Sequence, residues 1–198
     1  MDKLLYEREL IEKGCKYVCG VDEVGRGPLA GPVVCAAVIM PLDDIIEGVD
    51  DSKKLSAKKR EMLSEKILKT AVAYSICRVE SEIIDEINIL QATRLCMKNA
   101  VESLSVAPDF VLTDGNMTLD IAVPQRSIIK GDALSYSIGA ASIIAKVYRD
   151  KLMTDYAEIY PQYGFESNVG YGSKAHMQAI ERFGLTPIHR RSFTKRWQ

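Results

Sequence analysis

Two adjacent carboxylates, Asp22 and Glu23, close the run YVCGVDE and are followed at once by a turn of nearly bare backbone, VGRGPLAGP. Asp114 and Asp132 stand in similar surroundings. Each follows an apolar or β-rich run and lies beside a glycine, in LTDG and IKGD. A single Asp before Gly is usually a turn residue, since its short side chain bonds its own backbone. Three such positions, one carrying a second acid, make a different pattern. The strand ends on one side of an α/β sheet are where such folds place their ligands. If these ends converge, four carboxylates crowd one crevice, and like charges that close need a counter-charge. Hard oxygen ligands favour Mg²⁺ or Mn²⁺ over zinc. Two such ions about 4 Å apart can activate water and stabilise the leaving oxygen of an in-line phosphoryl displacement. No Ser-His-Asp order stands out, and both histidines, His176 and His189, come late in the chain. Metal-assisted phosphodiester hydrolysis therefore outranks acyl transfer.

The glycine loop suggests a second chemistry and then excludes it. Gly25, Gly27 and Gly31 have the spacing G-x-G-x-x-x-G, one residue too long for the dinucleotide fingerprint. Pro28 and Pro32 also argue against a helix opening there. Exposed backbone at Gly25 and Gly27 can instead approach a substrate closely.

Several elements must position these residues. Residues 3–13 read as a helix stopped by Gly14. Residues 17–22 and 33–40 read as strands, and the short loop between them predicts an antiparallel pair. Ser56 can cap a helix over 57–70, with Met62, Leu63, Ile67 and Leu68 on its apolar side. Residues 71–79 form a third strand candidate, and two helical stretches, 80–87 and 89–104, follow. DFVLTDG (109–115) and QRSIIKGD (125–132) read as strands that each end in an acid. The segment 133–157 reads as one helix whose small residues suggest close packing on the sheet, and 174–183 as another. Three early strands, then two alternating with helices, predict an α/β sandwich with a mixed five-stranded sheet.

The chain has 198 residues and a net charge of −1, so bulk charge points to no polyanionic partner. Its distribution says more: residues 146–198 hold nine Lys or Arg against five Asp or Glu, and the rest is acidic. A cation site beside a phosphate-binding surface is one reading, ordinary solvated helix faces the other. The five cysteines are odd in number and form no Cys-x-x-Cys pair, which predicts reduced thiols in a cytoplasmic protein. No signal peptide is expected after Met1-Asp-Lys, and no apolar run reaches the ~20 residues that span a bilayer.

The motifs taken together resemble one family. DEVGRGPLAGPVV, DSKKLS (51–56), KGD (130–132), SIGAASIIAKVYRD (137–150) and GYGSKAH (170–176) are similar, in order and over about 17–193, to ribonuclease HII, the type 2 RNase H, in its bacterial form. The resemblance implies an RNase H-like fold with a helical C-terminal appendage. It also implies one catalytic domain over 1–198: a core of about 17–157 and a basic substrate-binding segment of about 158–198. The implied activity is cleavage of RNA in RNA–DNA hybrids and incision 5′ to a ribonucleotide embedded in duplex DNA, leaving 3′-hydroxyl and 5′-phosphate ends. The biological role would be ribonucleotide removal from DNA. Asp22, Glu23, Asp114 and Asp132 become the catalytic metal ligands for Mg²⁺ or Mn²⁺, two ions during catalysis, with Asp22 bridging. Gly25, Arg26 and Gly27 match the element that contacts the ribose 2′-hydroxyl through backbone groups, the atom that separates RNA from DNA. Tyr171 matches the tyrosine that stacks on the sugar at the ribo–deoxy junction. Ser52, Lys53 and Lys54, with Asp51 before a helix start, are expected at phosphate, as are Ser142 and Lys146, four apart on one helix face. Lys174, Arg190, Arg191, Lys195 and Arg196 are expected to form a basic rim. A monomer is expected, with no membrane contact, no extra N-terminal domain and no terminal clamp-binding peptide. The alternatives are a non-catalytic hybrid-binding module and a DNA-directed nuclease of the same fold.

Overall fold

The computed structural model describes residues 2–198. Five strands form one sheet: β1 (Val18–Val24), β2 (Val33–Ile39), β3 (Ala73–Val79), β4 (Phe110–Asp114) and β5 (Gln125–Ile128). Their order is β3-β2-β1-β4-β5. The short glycine loop makes β1 and β2 antiparallel, whereas β1, β4 and β5 run parallel. β1 is therefore central, and its carboxyl end lies beside that of β4. The expected mixed five-stranded sheet is the one observed.

Strand β2 is buried along its whole length and feeds two cores. Val33, Cys35, Ala37 and Ile39 pack towards α3 (Ser81–Glu102), with Ile84, Cys96 and Met97. Val34, Ala36 and Val38 pack on the other face, with Leu63 and Ile67 of α2 (Ala57–Thr70) and Ala140, Ile143 and Ile144 of α5 (Tyr136–Ile159). Period-two alternation thus makes one strand the floor of both layers. The predicted close packing of the small residues is visible at Gly20, where a Cβ would sit 2.1 Å from the carbonyl carbon of Ser137.

Asn88 breaks α3 with φ 68°, and its Oδ1 accepts from the amides of Leu90 and Gln91, so the two helical stretches expected there are two helices that meet at a kink. The helix expected over 133–157 is divided. A four-residue turn, α4 (Gly131–Leu134), precedes α5, and extended Ser135 separates them. Ser135 Oγ caps α5 and donates to buried Glu7 of α1 (Leu5–Glu12), which also receives the Ser137 amide. A short turn α6 (Phe165–Asn168) and helix α7 (Lys174–Phe183) pack with Met153 and Tyr163 in a separate C-terminal core. No helix among the described residues is long and apolar enough to cross a membrane.

Candidate active site

Asp22 and Asp114 end neighbouring parallel strands. Val21 pairs with Thr113, so each acid is the next residue along its strand. Asp132 arrives differently from the sequence expectation. Strand β5 stops at Ile128, and the chain turns through exposed Ile129 and left-handed Lys130 (φ 60°), so Asp132 lies in α4 rather than at a strand end. The Gly131 amide donates to Asp114 Oδ1 at 2.6 Å, which holds α4 against β4.

The electrostatics of Asp22, Glu23 and Asp132 are those of crowded anions. Burial raises the Asp22 carboxyl well above its usual value, and the charges of Glu23 and Asp114 raise it further. Burial also raises Glu23, against the pull of Arg26, whose guanidinium lies 3.2 Å from Glu23 Oε1. Asp132 is raised by burial and by Asp114 and Asp51, while Lys53, 4.0 Å away, opposes the shift. Burial works against the Lys53 ammonium, yet Asp132, Asp51, Asp22 and Asp114 together raise its pKa. Glu23 Oε2 is buried and has no hydrogen-bond partner. Unspent oxygen valence, buried like charge and hard donors are the chemistry that fits a divalent cation. The acids form no closed cage: among the described residues no three His, Cys, Asp or Glu side chains stand close enough to hold one ion.

Two of the expected phosphate residues join the crevice. Ser142 Oγ donates to Ser52 Oγ at 3.0 Å, and a hydroxyl contact from Ser142 works to lower the Asp22 pKa. Ser52 lies in a 3-10 turn, Ser52–Lys54, where Asp51 accepts from the Lys53 amide. Two others are engaged elsewhere. Lys54 faces Asp50 at 3.6 Å and Lys146 pairs with Asp150 at 2.6 Å. Lys146 also lines a cavity of about 650 Å³ with Arg60, Lys151 and Glu166. Another cavity, of about 690 Å³, lies at the other end of the sheet, around Tyr17 and Met40, away from the acids.

The glycine loop and Tyr171 meet. A Cβ on Gly27 would touch the Tyr171 ring at 3.4 Å, ordinary contact, and the ring is half exposed. Gly25 has φ +90° and a Cβ there would sit 2.2 Å from Arg149 Nε, so only glycine fits. The basic rim is smaller than expected. Lys174, Arg191, Lys195 and Arg196 are exposed, but Arg190 is completely buried. It points inward because the loop offers it carbonyl oxygens. Its guanidinium donates to Gly25 O, Arg26 O and Gly31 O at 2.6–2.9 Å.

Sequence reasoning also missed Arg149, His176 and His189 as site residues. Arg149 is buried and donates to the carbonyls of Pro32, Val169 and Ala30. A signal for it existed: Arg149 falls between Ala145 and Met153 on the buried stripe of α5. His176 Nδ1 donates to Tyr171 O at 2.8 Å, and its Nε2 accepts from His189 Nε2 at 3.0 Å. The Thr186 amide and hydroxyl donate to His189 Nδ1. The chain of donors is complete with both rings neutral. Burial lowers His189 to about 4, aided by His176, and burial lowers His176 as well.

A five-stranded mixed sheet ordered β3-β2-β1-β4-β5, with acids at the carboxyl ends of its central parallel strands, defines an RNase H-like protein. The family model described as Ribonuclease HII matches residues 19–196, and the chain belongs to that family. It is thereby an endonuclease of the ribonuclease H class. A ribonuclease HII of Ligilactobacillus salivarius is 57% identical over 97% of this chain and 75% of its own. The crystal structure of ribonuclease H2 from Pyrococcus horikoshii has a TM-score of 0.76 at 28% identity, covering 91% of this chain and 98% of that one. The fold extends to Bst-RNase HIII, solved in complex with Mn²⁺, with a TM-score of 0.64 at 19% identity over 85% of this chain and 63% of that one.

Proposed function

We propose that the chain hydrolyses RNA in RNA–DNA hybrids and incises 5′ to ribonucleotides embedded in duplex DNA, leaving 3′-hydroxyl and 5′-phosphate ends. Asp22, Glu23, Asp114 and Asp132 would hold Mg²⁺ or Mn²⁺, with Asp22, on the central strand, the acid best placed to serve more than one ion. Such ions would supply water activation and charge neutralisation at the leaving oxygen. The protein's own part is to hold oxygen donors at two strand ends and to leave Glu23 Oε2 unspent. Ser142 supports Asp22 from α5, Ser52 backs Ser142 from the 3-10 turn, and Lys53 faces the crevice beside Asp132. Gly25, Arg26 and Gly27 offer backbone to the ribose 2′-hydroxyl, and Tyr171 stacks on the sugar.

The observation that carries this reading is the adjacency of two unlike sites. Paired strand ends present Asp22 and Asp114, and the Glu23–Arg26 contact leads from them into the loop that meets Tyr171. The acids and the Gly27–Tyr171 contact thus lie within one short stretch of chain and loop, which supports the reading. In this reading the chain acts as a single catalytic domain in the cytoplasm, as a monomer, with 158–198 supplying substrate contacts through Lys174, Arg191, Lys195 and Arg196. Incubation with a duplex holding one ribonucleotide, with and without EDTA, tests it. Metal-dependent incision 5′ of that nucleotide is expected, and its absence overturns the proposal.

A further inference from the structure

Arg149 and Arg190 are both fully buried, and among the described residues no carboxylate forms an ion pair with either. Burying a cation without a counter-ion is costly, and apolar side chains of similar volume would pack more cheaply. What the two guanidinium groups touch is backbone carbonyl, and all of it belongs to the loops beside the crevice. Arg190 binds the carbonyls of Gly25, Arg26 and Gly31. Arg149 binds those of Ala30, Pro32 and Val169. The segment around Arg190 locks the same loops through its own backbone. The Arg190 amide donates to Leu29 O, Ile188 O accepts from Gly31, and Gly170 O accepts from Leu29 and Ala30. His176 then fixes the carbonyl of Tyr171.

The consequence falls on the amides. With the carbonyls of Gly25 and Arg26 tied inward, the backbone N–H groups of Gly25, Arg26 and Gly27 have no partner among the described residues. Such groups seek an acceptor. Rigidly offered donors also discriminate strongly against a substrate that lacks the matching oxygen, because they are then left unpaired.

We infer that Arg190, supported by Arg149, is a positioning residue for ribose discrimination: it fixes the glycine loop against Tyr171 so that the loop's free amides and the ring form one preset surface. This rests on the reading of the loop given above, so the test separates the two. Arg190→Lys keeps the charge and loses the planar fork that reaches three carbonyls. Gly27→Val leaves the fork and fills the surface itself. Binding of duplexes with and without one ribonucleotide is measured in EDTA for both variants. Arg190→Lys is expected to weaken binding of the ribonucleotide duplex about tenfold, with the all-DNA duplex changed less than about twofold. Gly27→Val is expected to lose the same discrimination. If Gly27→Val loses it and Arg190→Lys keeps it, the positioning role is wrong and the loop reading stands. Equal weakening of both duplexes in Arg190→Lys marks a merely structural arginine and overturns the inference. Unchanged discrimination in Gly27→Val removes the loop reading and the inference together. If Arg190→Lys fails to fold, amide relaxation in the unaltered, substrate-free protein decides. Order parameters for residues 25–27 near the ~0.85 of rigid backbone are expected, and values below about 0.6 overturn it.

Discussion

The acid crevice and the loop clamp are neighbours built on opposite rules. In the crevice, side chains are left wanting: Glu23 Oε2 has no partner, and Asp22, Glu23 and Asp132 all have raised pKa values, burial being the first cause of each. In the clamp, the buried side chains are fully engaged. Arg190 alone makes four hydrogen bonds, and the two histidines complete a donor chain from Thr186 to Tyr171. The difference teaches what each region is for. A site that must take up cations keeps unspent anionic valence. A surface that must tell a hydroxyl from a hydrogen has to be stiff before the substrate arrives.

Removing one crevice acid should produce the largest effect. Asp22→Asn keeps the shape and removes the charge, so turnover on a ribonucleotide-containing duplex is expected to fall roughly 10³-fold or more. Binding to that duplex should survive. In EDTA the variant should also melt at a higher temperature than the parent, because a repelled, buried charge is gone. Calorimetry beside a cleavage assay checks both, and a variant that is slower and also less stable would break the contrast.

The clamp predicts the reverse order of sensitivities, and two glycines two residues apart expose it. Gly25→Ala must accommodate a Cβ against Arg149 at a positive φ, and is expected to cost about 2–4 kcal/mol of stability. Gly27→Ala meets Tyr171 at ordinary contact distance, so its stability should stay within about 0.5 kcal/mol of the parent. Its loss should appear in ribose recognition alone. Denaturant melts of both variants separate a clamp position from a substrate position. Equal destabilisation would show that the loop is not held as described.

Acid titrates the clamp through its histidines. His189 is held at about 4, against about 6.5 in an unfolded chain. Between those values the unfolded state binds more protons, so stability rises with pH. The contribution is complete above about 6.5 and is lost progressively as the pH falls towards about 4. A shift of that size sets an upper bound of about 3 kcal/mol. His176, also lowered, adds to the same slope. Asp22, Glu23 and Asp132, with raised pKa values, act with the opposite sign in the metal-free protein, becoming less destabilising as they protonate. Urea melts from pH 4 to 7 should therefore show a slope that shrinks in His189→Gln, and an unchanged slope would remove the neutral pair.

The legibility of the two regions in sequence differs for the same physical reason. The acids were legible because strand, acid and glycine follow one another along the chain, and the antiparallel start of the sheet followed from the length of one loop. Asp132 was misplaced because three residues separate it from Ile128, and left-handed Lys130 carries no turn signature that would end a strand there. The single helix expected over 133–157 missed the break at Ser135, which depends on Glu7 far away in sequence. Arg190 was counted as a surface cation because a charge tally carries no depth. In TPIHRR nothing local distinguishes the buried arginine from exposed Arg191. His176 was more readable, since with Ala179 and Ile180 it completes the buried side of α7.

Salt dependence gives the smallest effect and a direct check on that depth. Cations that meet phosphate release counterions, so affinity for duplex should fall as salt rises. Exposed Lys174, Arg191, Lys195 and Arg196 belong in that count, and buried Arg190 does not. Lys195→Ala is expected to weaken binding modestly, on ribo- and deoxy-duplexes alike, and to flatten the log–log salt slope by about one. Arg190→Lys should leave the slope as it is while discrimination falls. A rim cation changes how tightly any duplex is held and leaves the choice between sugars alone. An inward arginine does the opposite, so the two slopes measured side by side separate holding from choosing.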